Sequence, residues 1–174
     1  DRSLHIPMLE RVRKAVGDDF PLMYDPAAIY SYADALKIGR VLERLNYVWF
    51  EDPMPVDDTY NYAKLCADLD IPVMSTEYSW GGFLGYPAWI LARATDALRG
   101  DVALKGGITG VVKSIHLAEA FNMKYELHHG GNSLNNIANA HVALATANCD
   151  YFEVILPDIV QKYAVINELA LDSD

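Results

Sequence analysis

The sequence lacks several features that would place it in common classes of protein. It has two cysteines among 174 residues, Cys66 and Cys149, and they lie far apart, so a disulfide framework is not expected. No apolar run is long enough to cross a bilayer, which argues against a transmembrane helix. The net charge is −10 and no lysine and arginine residues cluster, so neither nucleic acid nor an anionic membrane surface is an expected partner.

The first residues, from Asp1 to His5, show neither a signal-peptide pattern nor a methionine, and we expect a cytoplasmic protein. A chain of 174 residues can bury one sizeable core but is short for two ordinary domains. We therefore expect a single domain over residues 1–174.

Short apolar runs alternate with longer amphipathic segments along the chain. The apolar runs cover residues 22–24, 47–50, 71–74, 102–104, 123–127 and 151–155. Helices are predicted over residues 7–16, after Ser31, after Asp58, over residues 86–97, after a cap at Thr109 and over residues 133–147. Continuous apolar runs are typical of parallel strands that are buried on both faces.

This alternation is typical of an open doubly wound sheet or of a barrel. A doubly wound nucleotide-binding sheet needs a glycine-rich turn after its first strand, but residues 24–28 contain no glycine. A barrel is favoured, although six strands are fewer than the eight of a closed barrel. The sequence therefore predicts an α/β fold, a partial TIM-type (β/α) barrel.

Three successive apolar runs end in an acid, and these acids, Asp25, Glu51 and Glu77, are equally spaced along the chain. An acid at the end of a strand more often caps the next helix, but capping does not require equal spacing. Equal spacing instead predicts acids at one height on adjacent strands, and three close carboxylates repel one another unless a cation is present. Oxygen ligands of this kind suit Mg²⁺.

Further along the chain, Asp101 and His128 are again separated by about the length of one strand and one helix. A carboxylate on the neighbouring strand would hold the tautomer of a histidine and tune its pKa, so the pair is a candidate acid or base. The alternative is a histidine that only forms a turn or a core hydrogen bond. His129 should point the other way in an extended strand, unless the strand ends between the two histidines.

Lys105 precedes the run Gly106-Gly107-Ile108-Thr109-Gly110. It could be a cation that faces the substrate, a Schiff-base lysine or a loop charge. The glycines indicate either a close approach of the backbone to a ligand or a tight turn into a helix.

Taken together, these residues resemble the mandelate racemase and muconate lactonizing enzyme branch of the enolase superfamily. The resemblance rests on Asp25, Glu51-Asp52-Pro53, Glu77, the stretch from Asp101 to Gly110, and His128. It implies an enolase-like C-terminal barrel domain in which Asp25, Glu51 and Glu77 hold one Mg²⁺. His128 and Asp101 are then the catalytic dyad, and the resemblance maps a substrate-binding acid onto Glu153. Lys105 and His129 are further candidates for contact with the substrate.

The resemblance also implies that the α-proton of a carboxylate is removed through an enediolate. Residues 128–136 look most like those of the sugar-acid dehydratases, so the expected enzyme is a hydro-lyase that forms a 2-keto-3-deoxy acid. The alternatives are a racemase or epimerase of a 2-hydroxy acid, a non-catalytic fragment and, least favoured, a lysine-dependent aldolase.

Three parts of the family pattern are not found in this sequence. The N-terminal capping domain and the first strands, with their Lys-x-Lys pair, would precede Asp1, and Ala27 stands where many members have asparagine. We therefore expect a portion of a longer enzyme that acts on a small-molecule carboxylate and, by analogy with the family, a homo-oligomer.

Overall fold

The computed structural model describes residues 4–129, 133–157 and 163–166, which form two compact units. The first unit contains Asp1–Thr76 and Pro87–Asp96, and the second contains Glu77–Tyr86 and Ala97–Asp174. In the described part of the chain, no helix combines the length and the apolar character needed to cross a membrane.

The first unit is a three-stranded parallel sheet with helices between its strands. Its elements are α1 (His5–Val16), β1 (Met23–Tyr24), α2 (Tyr32–Arg44), β2 (Trp49–Glu51), α3 (Thr59–Asp68), β3 (Val73–Ser75) and most of α4 (Tyr86–Ala92). The apolar faces of these elements form a core that includes Leu42, Phe50, Leu65 and Val73. Burial of these side chains stabilises the parallel arrangement.

Two of the predicted helices in this unit begin where the sequence indicates, after Ser31 and after Asp58. The Ser31 hydroxyl accepts a hydrogen bond from the Asp34 backbone N–H, and the Asp58 carboxylate accepts one from the Asn61 N–H. Both bonds satisfy donors that would otherwise have no partner at a helix start.

The second unit pairs β4 (Ala97–Gly100) with β5 (Lys124–Leu127) in parallel and carries α5 (Gly107–Ala120) and α6 (Ser133–Leu144). A short 3₁₀ helix covers Gly82–Gly85. Beyond β5, Leu127 forms a parallel bridge with Phe152, so the predicted strand over residues 151–155 is reduced to one bridging residue.

The sequence prediction was wrong for the fourth strand. The strand is Ala97–Gly100, and the apolar run of residues 102–104 lies in the turn after it. Arg99 and Gly100 interrupt the apolar pattern, so the strand has no continuous hydrophobic signal. Asp101 therefore follows the carboxyl end of β4 rather than opening a strand.

The predicted cap of α5 was also wrong. The helix begins at Gly107, two residues before Thr109, and its N-cap is Gly106 in the left-handed conformation with φ of 85°. A glycine adopts this conformation without a Cβ penalty, so the turn from β4 into α5 depends on Gly106 rather than on a threonine cap.

Candidate functional site

The polar side chains of the site lie where strands end. In the first unit, the register of β1 and β2 pairs Tyr24 with Phe50, which brings Asp25 and Glu51 to corresponding positions beyond that pair. Asp25 is exposed and accepts a hydrogen bond from the Ala27 N–H at 2.6 Å. Glu51 is buried and accepts one from the indole N–H of Trp49 at 3.0 Å.

The third acid does not share this register. Glu51 pairs with Met74 on β3, so Glu77 lies three positions beyond the partner of Glu51 along the chain. Parallel strands of a barrel are staggered, and equal spacing in sequence does not give equal height. Just before Glu77, Thr76 has φ of 93°, which is costly for a β-branched residue and is a kind of strain that concentrates at functional sites.

The donor chemistry of these three acids fits a magnesium ion. Glu51 and Glu77 are only 4% and 5% exposed, and buried carboxylates need compensating charge, which Arg99 supplies in part for Glu77. Their oxygens are hard ligands of the kind that Mg²⁺ takes. Among the residues that the structure describes, no group of three or more His, Cys, Asp and Glu side chains is placed to hold a metal ion. A shared site for Asp25, Glu51 and Glu77 thus stays a prediction.

In the second unit the structure brings four ionisable side chains into one buried network. Nδ1 of His128 lies 2.5 Å from Oδ2 of Asp101, and Nε2 of His128 lies 3.0 Å from Oε1 of Glu77. Arg99 contacts Oε2 of Glu77 at 3.5 Å through Nε. The separation of Asp101 and His128 along the chain continues the register of β4 and β5, which pairs Gly100 with Leu127.

The pKa values of the pair reflect this geometry. Burial lowers the pKa of His128, but the hydrogen bond to Asp101 and the charge of Glu77 outweigh burial, so the pKa is raised. For Asp101, burial acts to raise the pKa, whereas the hydrogen bonds from His128 and from the Leu104 N–H bring it below the ordinary value. Both shifts favour an imidazolium beside a carboxylate.

Two functional candidates were missed by the sequence analysis, Arg99 and Asn139. Nη2 of Arg99 lies 2.6 Å from Oε2 of Glu153. The signal for Arg99 was its position two residues before Asp101, because alternate residues of a strand share a face. Asn139, fully buried on α6, donates to the His128 carbonyl at 2.9 Å and accepts from the Val102 N–H at 3.2 Å, which ties α6 to both strand ends.

The three predicted substrate contacts lie in different surroundings. Glu153 accepts the His129 N–H at 2.6 Å, and its side chain is about one third exposed. The imidazole of His129 is buried, with no hydrogen-bond partner for either ring nitrogen among the described residues. Lys105 is 1% exposed, and its ammonium donates to Ser79.

Parallel strands that alternate with helices, with acids and a histidine at the strand ends, fit part of a (β/α) barrel. Residues 3–173 match the enolase C-terminal domain-like family, and the chain belongs to that family. The resemblance and the fold class inferred from the sequence are thereby confirmed.

Three of the similar proteins are dehydratases by name. The chain is 30% identical to arabinonate dehydratase of Saccharolobus solfataricus, over 87% of this chain and 40% of that protein. It is 34% identical to L-talarate/galactarate dehydratase of Salmonella typhimurium, over 71% and 31%. The crystal structure of D-glucarate dehydratase from Agrobacterium tumefaciens complexed with magnesium matches with 42% identity and a TM-score of 0.82, over 90% and 39%. The chain thus spans less than half the length of each.

Proposed function

We propose that this chain is the barrel portion of a Mg²⁺-dependent sugar-acid dehydratase. Such a lyase removes the proton α to a carboxylate and eliminates a hydroxyl group from the β carbon. The observation that carries the proposal is the contact between His128 and Asp101 at the ends of β4 and β5. The two curated relatives named above are dehydratases, and this supports the same reaction class.

His128 is proposed to be the general acid. Its Nδ1 is held by Asp101, and Nε2, which lies 3.0 Å from Oε1 of Glu77 in this structure, is the nitrogen proposed to serve the substrate. A positively charged imidazole can give its Nε2 proton to the departing hydroxyl group. Asp101 keeps the ring oriented and stabilises its positive charge, as a carboxylate does in other histidine-dependent sites.

The carboxylates of Asp25, Glu51 and Glu77 are proposed to hold the magnesium ion. When bound, Mg²⁺ would offset negative charge that develops on the substrate carboxylate. The burial of Glu51 and Glu77 supports this role, because a low-dielectric environment strengthens attraction to a cation.

The substrate is proposed to be a small sugar acid that contacts Glu153 and His129. The Glu153 side chain is accessible and is fixed by Arg99 and by the His129 N–H. A carboxylate fixed in this way can orient substrate hydroxyl groups.

The test uses the complete natural polypeptide with Mg²⁺ and a panel of D-glucarate, galactarate and arabinonate. Formation of a 2-keto-3-deoxy acid from at least one of them is expected, with loss of activity in EDTA and recovery when Mg²⁺ is added. Product formation that is unchanged in EDTA would contradict the metal assignment.

Racemisation or epimerisation at the same site is a second candidate, because a neutral His128 beside Asp101 could also act as a base. Reaction in D₂O separates the two. Recovered substrate that carries deuterium with inverted configuration, without keto acid, would favour the racemase or epimerase.

A further inference from the structure

Lys105 is a buried lysine in the turn between β4 and α5. Its backbone N–H donates to the Asp101 carbonyl at 3.0 Å, and its side chain is 1% exposed. A Cβ atom added at Gly110 would lie 2.0 Å from the Lys105 carbonyl oxygen, so the turn and the start of α5 are closely packed there. A buried ammonium group is costly unless polar atoms compensate it.

The compensation comes from the segment that begins with Glu77. Nζ of Lys105 lies 3.0 Å from the Ser79 carbonyl oxygen and 3.2 Å from the Ser79 hydroxyl. It also lies 5.2 Å from the centre of the Tyr86 ring, within the range of a cation–π contact. We call residues 77–86 the Glu77 segment.

A second contact holds the same segment. Phe83 lies against the start of α5, where a Cβ atom at Gly106 or Gly110 would be 3.8 or 3.5 Å from its ring. Nζ of Lys113, on the same helix, lies 5.4 Å from the centre of that ring. The Glu77 segment is therefore anchored to the turn after β4 at Ser79 and to α5 at Phe83.

We infer that Lys105 is a positioning residue that fixes the Glu77 segment, rather than a nucleophile or a substrate-binding cation. Ser79 is two residues from Glu77, so the ammonium restrains the backbone that carries this carboxylate. The consequence for Mg²⁺ rests on the proposed function, whereas the restraint itself does not. A Schiff base at Lys105 would require its Nζ to leave both Ser79 oxygens and become accessible.

The first measurement is hydrogen exchange of the segment in the complete natural polypeptide. Lys105→Met keeps the length of the side chain and removes the ammonium. We expect amides of residues 77–86 to exchange about tenfold faster, because the local opening free energy falls. Lys124→Met is the matched control, since Lys124 is exposed and pairs with Asp150; exchange in the segment should not change.

The second measurement is calorimetric titration with Mg²⁺ alone. We expect the dissociation constant to rise about tenfold in Lys105→Met, as when a supporting contact of a metal ligand is lost, and to be unchanged in Lys124→Met. A merely structural role would lower thermal stability without changing Mg²⁺ affinity.

The outcomes distinguish the positioning role of Lys105 from the proposed Mg²⁺-dependent function. Unchanged exchange in Lys105→Met would overturn the restraint, and faster exchange with unchanged Mg²⁺ affinity would overturn the positioning role. Wild-type protein that does not bind Mg²⁺ would count against the proposed function, while exchange would still decide the restraint. If Lys105→Met does not fold, Ser79→Ala, which removes one of the two acceptors, should speed exchange about threefold. Borohydride trapping of a substrate at Lys105 would refute the inference.

Discussion

The two units differ in what is buried at their strand ends. In the first unit, the strands that carry Tyr24 and Phe50 lie over an apolar core, and Asp25 and Glu51 accept hydrogen bonds from groups only two residues away along the chain. In the second unit, the residues at the strand ends bond across strands and to distant segments, as His128 does with Asp101 and Glu77.

This difference separates two kinds of stability. Apolar burial is non-directional and tolerates small shifts, so it suits a scaffold. A buried network of charges is favourable only when each partner is in place, because a lone buried charge is strongly destabilising. The network of Arg99, Glu77 and His128 therefore fixes geometry more than it adds free energy of folding.

The largest expected effect tests the acids of the first unit. In the complete polypeptide, Glu51→Gln should weaken Mg²⁺ binding by about a hundredfold or more and abolish turnover, because a neutral amide replaces a charged ligand. Calorimetry with Mg²⁺ and an assay of keto-acid formation measure both. Glu119→Gln, on the exposed face of α5, is the control that also loses one negative charge. Unchanged affinity in Glu51→Gln would remove Glu51 from the ligand set.

The next largest expected effect tests the pair of His128 and Asp101 in the second unit. His128→Asn should lower kcat for dehydration by about a thousandfold, the scale of lost general acid catalysis. Exchange of the substrate α-proton in D₂O should survive, because the proposed role of His128 is to protonate the departing hydroxyl group and a different group removes the α-proton. His116→Asn, an exposed helical histidine, should behave as wild type. Loss of both exchange and dehydration would assign His128 to proton abstraction instead.

Much of the arrangement at the strand ends could be predicted from the sequence, because the spacing of helices and strands follows from the local pattern of apolar residues. The spacing of Asp25 and Glu51 matches the register of β1 and β2, and the spacing of Asp101 and His128 continues that of β4 and β5. The same reasoning was wrong for Glu77, since β2 and β3 pair Glu51 with Met74 instead. The stagger between strands is a tertiary property with no signal in spacing.

The contacts of the buried charged side chains also could not be predicted from sequence patterns. Arg99 breaks the apolar run that would have identified β4, yet it lies 5% exposed among carboxylates. Lys105 could be assigned three roles from the sequence, whereas the Ser79 that it contacts is distant along the chain. Long-range pairing of this kind depends on how a loop returns to the sheet, which composition and periodicity do not encode.

A smaller expected effect tests the apolar core of the first unit. Phe50 is fully buried, and its ring stacks on that of Tyr24 with centres 6.0 Å apart. Phe50→Ala should lower the free energy of unfolding by about 3–5 kcal/mol, through lost burial and a cavity. Tyr60→Ala, at a side chain that is 77% exposed, should change it by less than about 0.5 kcal/mol. Urea unfolding measures both, and equal effects would contradict the assignment of the core.

The smallest expected effect is a pH dependence in the second unit. Glu126 on β5 is buried and accepts hydrogen bonds from the Asp150 and Tyr151 N–H groups. Burial raises its pKa more than these bonds lower it, so the folded protein holds this proton at a pH where the unfolded chain has released it. The associated stability is present below the unfolded pKa and is lost as pH rises through the folded pKa.

Glu126→Gln cannot titrate, and its urea midpoint should therefore fall less than that of wild type from about pH 4 upward. A steeper fall in the variant would show that the bonds to residues 150 and 151, rather than burial, dominate at Glu126.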